Sequence, residues 1–145
     1  MAISSVVSAG DDVLASTFNN LRKDIFPYLL DSGSGIASGK YVYPDGDGTI
    51  GEASASLIAT ALTIGCSAEG AIGSGASGYI QDRGIATNVN WSFDVGFIGK
   101  LAYLGVDGYP TQNPPVDPGT IVRIVGIIRG TDKLYIITDS NYQGN

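Results

Sequence analysis

From residue 40 onward, the chain alternates short apolar runs with turns rich in Gly, Pro and Asp. Apolar runs bounded by turn residues are typical of β-strands. They are "KYVY" (40–43), "SLIATALTIG" (56–65), "GYIQ" and "GIAT" (78–87), "WSFDVG" (91–96), "KLAYL" (100–104), "TIVRIVGII" (120–128) and "KLYIIT" (133–138). The run 56–65 also fits a buried helix segment, and we favour a strand. The spacing of the runs predicts a mainly β domain over 40–138, a small antiparallel β-barrel or sandwich.

A different pattern precedes this domain, in "STFNNLRKDIFPYLL" (16–30). Its apolar residues recur every three or four positions, which is the spacing of one stripe on a helix. The members of this N-terminal stripe are Phe18, Leu21, Ile25 and Tyr28. Ser16 can cap the first turn, and Pro27 disfavours continuation of the helix. We therefore expect an N-terminal arm over 1–30 that contains one short α-helix.

A helix of two to three turns is not stable alone in water, so the N-terminal stripe must pack against something. Its own β domain is one candidate surface. A seam shared with symmetry mates, or a dock on a larger assembly, is the other. The sequence pattern leaves both open.

Three further segments lack the periodicity of a strand or helix. The Gly/Ser-rich "DSGSGIASG" (31–39) is expected to be a linker or a loose loop, and 139–145 a polar C-terminal tail. The connection "GVDGYPTQNPPVDPG" contains Pro110, Pro114, Pro115 and Pro118. These prolines exclude a helix there and predict an extended loop.

Composition limits the size of the protein and the classes of its partners. With 145 residues, of which 43% are hydrophobic, the chain can bury one sizeable core. A net charge of −6 argues against a nucleic-acid partner, which would need clustered Lys and Arg.

No apolar stretch approaches the roughly 18 residues of a membrane span. The start "MAISSVVSAGDD" lacks the basic region of a secretory signal, so we expect folding in a cytoplasm.

The residue inventory offers little for catalysis or for a cofactor. The chain has no His, which is the commonest general base. Asp45 and Asp47 lie in the Gly-rich turn "PDGDG", and the match to a calcium loop then fails because Ile50 and Ser56 replace its Gly and Glu. Only a weak, irregular Ca²⁺ site at Asp45 and Asp47 stays open. The single Cys66 is expected to be a buried small hydrophobe, and we expect no enzyme activity and no cofactor.

The order of several segments resembles a small β module that recurs in virion proteins of tailed phages, in head decoration or fibre proteins and in tail fibres. The segments are "GKYVY" with "DGDGTIGEASAS", then "CSAEGAIGSGASGYIQDRGIAT", then "GFIGKLAYLGVDGYPTQNPPVDPGTIVRIVGIIRGTDKLYII". The resemblance covers about residues 39–138. The opening "SAGDDVLASTFNNLRKDI" is similar to the N-terminal helix that precedes this module in some phage appendage proteins.

The resemblance implies a virion structural protein without an active site, assembled in the host cytoplasm. A capsid decoration (cement) protein is expected, one that binds the assembled head as a homotrimer and contacts the major capsid protein or another virion protein. The contact residues expected for attachment or oligomerisation are Val6, Val7, Phe18, Leu21, Ile25 and Tyr28.

The alternative is a tail-fibre or tail-tip component with a receptor- or carbohydrate-binding role. It depends on aromatic rings that could stack on sugar faces, and these rings could equally fill a β core. They are Tyr41, Tyr43, Trp91, Phe93, Tyr103 and Tyr109.

Overall fold

The computed structural model describes residues 29–31, 33–46, 48–138 and 142–144, and it is mainly β, as the sequence predicts. The strands are β1 (Leu29–Asp31), β2 (Tyr41–Gly46), β3 (Thr49–Glu52), β4 (Gly65–Cys66), β5 (Ser77–Gly78), β6 (Gly84–Thr87), β7 (Leu101–Leu104), β8 (Pro110–Thr111), β9 (Ile121–Gly130), β10 (Lys133–Ile136) and β11 (Tyr142–Gly144). The described helices are α1 (Ile58–Ala61) and a 3₁₀ helix (Val95–Phe97).

The first sheet has five strands in the order β4-β2-β3-β1-β5. Its centre is the β2–β3 hairpin, whose turn is the predicted Asp/Gly turn. Gly48 has a φ of 77° in this turn, a conformation that glycine adopts without steric cost. β1 runs parallel to β3 and antiparallel to β5, and the other pairs are antiparallel.

The second sheet has six strands, with β6-β10-β9-β7-β8 in order and β11 also paired with β9. The ten-residue β9 is the longest strand of this sheet and lies at its centre. The run "TIVRIVGII" forms most of β9. β7 and β10 flank β9 in antiparallel register. The predicted strands at 100–104 and 133–138 are thereby confirmed, with slightly shorter bounds.

The two sheets pack face to face around the main core. Alternate residues of β9 point inward, including Ile121, Val125 and Ile128. They meet Tyr41 from β2 and Cys66 from β4, both fully buried. This arrangement fits the predicted sandwich, because each sheet buries one face against the other.

A second, smaller core lies on the opposite face of the five-stranded sheet. Val42 and Ile50 point to that side and pack with Ile36, Ile72 and Ile80. Ile36 and Ile72 exchange two backbone hydrogen bonds of 2.8 Å each. The segment predicted to be a linker or loose loop over 31–39 is therefore anchored, because its apolar residue Ile36 reaches this core.

Two strand predictions are wrong, and a third is largely wrong, because only Gly78 of "GYIQ" (78–81) lies in a strand, β5, while Gln81 forms an isolated bridge with Cys66. The run 56–65 forms α1 followed by the short β4, because Ala61 alone of the α1 residues is buried and the helix caps one end of the main core. The run 91–96 forms no strand. Trp91 and Phe93 are both buried, so their alternation reflects packing of an irregular segment and not sheet pairing.

The predicted N-terminal helix over residues 16–26 lies outside the described residues. The part of the chain that is described begins with β1, which joins the five-stranded sheet. At the other end, the backbone of β11 pairs with β9 within the segment interpreted as a polar tail.

Candidate interaction surface

The residues expected for attachment, Val6, Val7, Phe18, Leu21, Ile25 and Tyr28, all lie outside the described part of the chain. The structure does show where the arm joins the β body. Leu30 of β1 is in register with Thr49 of β3 and with Ser77 of β5. The arm therefore enters through an interior strand of the five-stranded sheet.

The outer face of the six-stranded sheet carries a row of apolar side chains across four strands. The register places Ile85 opposite Tyr135, Tyr135 opposite Ile127, and Ile127 opposite Leu101. Ile85 is 55% exposed, while Tyr135 and Leu101 are each 40% exposed. Neighbouring residues in one cross-strand row are in side-chain contact distance, so the row forms a continuous strip. We call this outer surface the open face.

β9 carries apolar residues on both faces, with the buried Arg123 among the inward-facing ones, although only one face is covered by the first sheet. Val122, Ile124 and Ile127 alternate with the buried residues and are only partly exposed. A strand that is apolar on both faces is typical of a sheet covered on both sides. Large exposed apolar patches commonly mark interaction sites. The open face is therefore the strongest candidate site in the described structure.

Basic residues border the open face at the β9–β10 hairpin. Arg129 and Lys133 are exposed there, and Lys100 lies nearby with its Nζ 4.9 Å from the centre of the Phe97 ring. The hairpin turn also contains Asp132. This border is locally positive in a chain whose net charge is −6. An acidic or neutral partner surface is thus favoured over a basic one.

Two shallow depressions adjoin the row, one beside Leu101 and one beside Tyr135. The larger has a volume of about 480 Å³ and is lined by Leu101 and Tyr103 together with Phe97 and Pro114. The smaller, of about 340 Å³, is lined by Tyr135 with Arg83 and Thr138. Both are open to solvent.

A second exposed apolar cluster surrounds α1. Leu57, Ile58 and Leu62 are 63%, 51% and 43% exposed, respectively. The segment is held by Thr60, whose Oγ1 donates to the Ser54 carbonyl at 2.9 Å. Behind it, the buried Arg123 donates from Nη2 to the Thr63 carbonyl at 3.3 Å. This cluster is built on one short helix and lacks the cross-strand continuity of the open face.

The aromatic residues considered for carbohydrate stacking are largely part of the core. Trp91 and Phe93 are only 3% and 4% exposed, and Tyr41 is fully buried. The Trp91 Nε1 donates to the Gly39 carbonyl at 2.8 Å, so the indole has a structural partner. Tyr109 is half-buried beneath Lys40, whose Nζ lies 5.2 Å from the ring centre. Trp91, Phe93 and Tyr41 therefore offer no accessible ring face to a sugar.

The acidic turn between β2 and β3 is organised by local hydrogen bonding. Thr49 Oγ1 donates to Asp45 Oδ1 at 2.7 Å, while Asp47 lies outside the described residues. Among the residues that are described, no group of three or more His, Cys, Asp and Glu side chains could hold a metal ion. The weak Ca²⁺ site at Asp45 and Asp47 stays a prediction.

Two titratable groups lie at the centre of the main core. The Tyr41 hydroxyl donates to the Val125 carbonyl at 2.7 Å and so links the two sheets. Burial, and secondarily the neighbouring Cys66, raise the pKa of Tyr41 well above its ordinary value. Burial likewise raises the pKa of the Cys66 thiol. Both groups are neutral at physiological pH, and the prediction of a buried Cys66 is confirmed.

The open face was not predicted from the sequence, although one signal of it was present. "TIVRIVGII" is apolar at six of its nine positions, including neighbouring ones, unlike the alternating pattern of a half-exposed strand. Which residues stand beside it depends on strand order and register, which the sequence pattern does not determine.

No described helix is long and apolar enough to cross a membrane. No family model, curated protein or solved structure matches this chain.

Proposed function

We propose that this chain is a structural protein of a tailed-phage virion, a capsid decoration protein that binds the assembled head as a homo-oligomer and stabilises it. The sequence resemblance over residues 39–138 supports the class. The expected partners are other copies of the chain, in a homotrimer, and the major capsid protein or another virion protein. Assembly would take place in the host cytoplasm.

The observation that carries the proposal is the open face on a rigid two-sheet body. The row from Ile85 to Leu101 presents apolar side chains to solvent on one sheet, while both faces of the other sheet are covered. The N-terminal stripe adds a second apolar surface by its sequence pattern. Proteins that assemble in many symmetric copies bind through such buried apolar contacts.

Immunogold electron microscopy tests the proposal directly. Virions are purified from lysates that contain the protein and labelled with antibody raised against the purified chain. Antibody that has been adsorbed with an excess of the protein is the control, and it should remove the label. Gold distributed over the head is the expected result.

The position of the label separates the proposal from its alternative. Gold confined to the tail or its tip would overturn the decoration role and favour an adhesion component. Unlabelled particles, with antibody that detects the protein in the same lysate, would contradict any virion role.

A further inference from the structure

We propose that the open face binds the N-terminal stripe of a second copy of this chain. The stripe (Phe18, Leu21, Ile25 and Tyr28) would cover the row formed by Ile85, Tyr135, Ile127 and Leu101. The inference rests on the self-association in the proposed function, and it identifies which two surfaces meet.

The outward-facing residues of β9 are apolar, which indicates that another surface packs on the open face. Val122, Ile124 and Ile127 face outward, whereas a strand exposed to water on one side ordinarily carries polar residues there. Each large apolar side chain removed from water contributes roughly 1.5–3 kcal/mol when burial is complete. A row of four such residues can therefore drive association if a matching apolar surface is supplied.

The dimensions of the two surfaces agree. Three strand spacings separate Ile85 from Leu101, which is about 14 Å at about 4.8 Å per spacing. In the helix predicted over 16–26, seven steps separate Phe18 from Ile25, which is about 10 Å at 1.5 Å per residue, and Tyr28 follows two residues after its end. Both surfaces therefore present four apolar side chains over a similar length. The stripe also has an aromatic residue at each end, and a depression lies beside each of Leu101 and Tyr135 on the open face.

The stripe of the same chain is poorly placed to reach the open face. Tyr28 directly precedes Leu29, which begins β1 in the five-stranded sheet. From Leu29 back to Leu21, three extended residues and five helical steps reach at most about 17 Å. A helix on the open face lies outside the second sheet, whose distance from the first sheet is already about 10 Å, and a chain from β1 must also pass around the edge of that sheet. The geometry therefore favours a stripe from another copy.

Charge argues against two open faces packing on each other. Such a pairing would bring Lys100, Arg129 and Lys133 of one copy toward the same cations of another, and like charges that meet across an interface oppose binding. The stripe's own helix carries Arg22 and Lys23 against Asp24, and the acidic pair of the N-terminal segment, Asp11 and Asp12, precedes the stripe. A contact between two different surfaces can also close a three-fold ring.

Complementation between two full-length variants tests this contact. Tyr135→Lys places a charge in the row, and Leu21→Lys places one in the stripe. Light scattering after gel filtration measures the mass of each variant alone and of an equimolar mixture. Each variant alone is expected to associate at least about tenfold more weakly than the unchanged chain, as for a central interface residue. The mixture should form heterodimers, because one partner retains an intact stripe and the other an intact open face.

Matched variants guard against trivial effects. Leu57→Lys makes the same change at an exposed apolar residue near α1, and it should leave the mass of the assembly unchanged. Ile85→Lys repeats the open-face test on the edge strand β6, in case Tyr135→Lys disturbs the fold. Circular dichroism and the melting temperature confirm folding in each case.

Several results would overturn the inference. An unchanged chain that is monomeric would leave the stripe to its own copy or to a different protein. Association that survives Leu21→Lys and is lost in Tyr135→Lys would mean that open faces pair with each other. Failure of the mixture to associate would also exclude the contact. Gold labelling of virions does not depend on these variants, so failure of this contact and failure of the virion role are distinguishable.

Discussion

Tyr41 shows how a polar group is accommodated in the main core. Its ring is fully buried between the sheets, and its hydroxyl has a partner in the Val125 carbonyl of β9. A buried hydroxyl without such a bond would be costly, so this one contact permits a large amphipathic ring at the centre. Cys66 fills the adjacent space as a neutral thiol.

Tyr41→Phe should destabilise the protein by about 0.5–1.5 kcal/mol, because one hydrogen bond between the sheets is lost while the Val125 carbonyl still accepts from the Ile137 N–H at 2.9 Å. Urea denaturation measures the change in the free energy of unfolding. Tyr135→Phe removes a hydroxyl from a side chain that is 40% exposed and should cost less than about 0.5 kcal/mol. Equal effects at the two positions would contradict a structural role for the Tyr41 hydroxyl.

Alkaline pH should destabilise the fold through Tyr41 and Cys66. Burial raises the pKa of both groups, so the folded protein retains protons that the unfolded chain releases. Their contribution is fully present below the ordinary pKa values, about 8.5 for a thiol and about 10 for a phenol, and is lost as pH rises toward the raised values.

The free energy of unfolding, measured from pH 7 to 11, should fall on the order of 1 kcal/mol per pH unit for each group above its ordinary pKa. Cys66→Ala should flatten the decline that begins near the thiol pKa, which is about 8.5. A parallel decline in this variant would show that other groups cause the alkaline effect.

At the scale of elements, the segment 37–40, which leads into β2, is held by several hydrogen bonds. Gly39 donates its N–H to the Ser67 carbonyl at 2.9 Å and accepts from Trp91. Asn88 Nδ2 bonds both Ser38 Oγ and the Ala68 carbonyl. Glu52 of β3 accepts from the N–H of Ala37 and from Lys40 Nζ, each at 2.9 Å, and so ties the same segment to the first sheet.

Gly39→Ala tests this close packing. A Cβ there would lie 2.7 Å from Asn88 Oδ1, and Gly39 has a φ of 87°. Gly119→Ala is the matched control, since Gly119 has a φ of 86° with no atom within 4 Å of the added Cβ. The control should cost about 1–2 kcal/mol from conformation alone. Gly39→Ala should cost clearly more in urea denaturation, and equal costs would mean that the Asn88 contact yields freely.

Element types were predicted best where long runs pair along their whole length. β9 was predicted correctly because β-branched residues fill most of the run 120–128. The run 56–65 was misassigned because a short apolar stretch fits a helix or a strand equally. The helix forms there because it places Ala61 in the main core. Trp91 and Phe93 alternate like strand residues, yet no strand forms there because the segment packs irregularly against the core.

At the scale of the whole molecule, the two sheets differ in how many of their faces are covered. The five-stranded sheet packs against the main core on one face and against the small core around Ile36 on the other. The six-stranded sheet has the main core on one face and the open face on the other. The open face is therefore the surface on which the proposed assembly depends.

Deletion of residues 1–28 should leave a folded body that no longer self-associates. All the strand pairs described above begin at Leu29 or later, so the deletion removes none of them. Gel filtration with light scattering should report a monomer, and the circular dichroism spectrum should retain its β signature. An insoluble product would indicate instead that the N-terminal segment covers its own β body.

The sequence by itself determined that the protein is mainly β, where most strands and turns lie, and that one small thiol is buried, because these follow from local periodicity, turn chemistry and composition. Only the tertiary structure decided which strands are neighbours and how 31–39 is anchored. It also decided that Trp91 and Phe93 are core residues and that Ile85, Tyr135, Ile127 and Leu101 form one exposed row. The reason is physical: cross-strand register and sheet stacking join residues distant in sequence, and local patterns carry no record of that pairing.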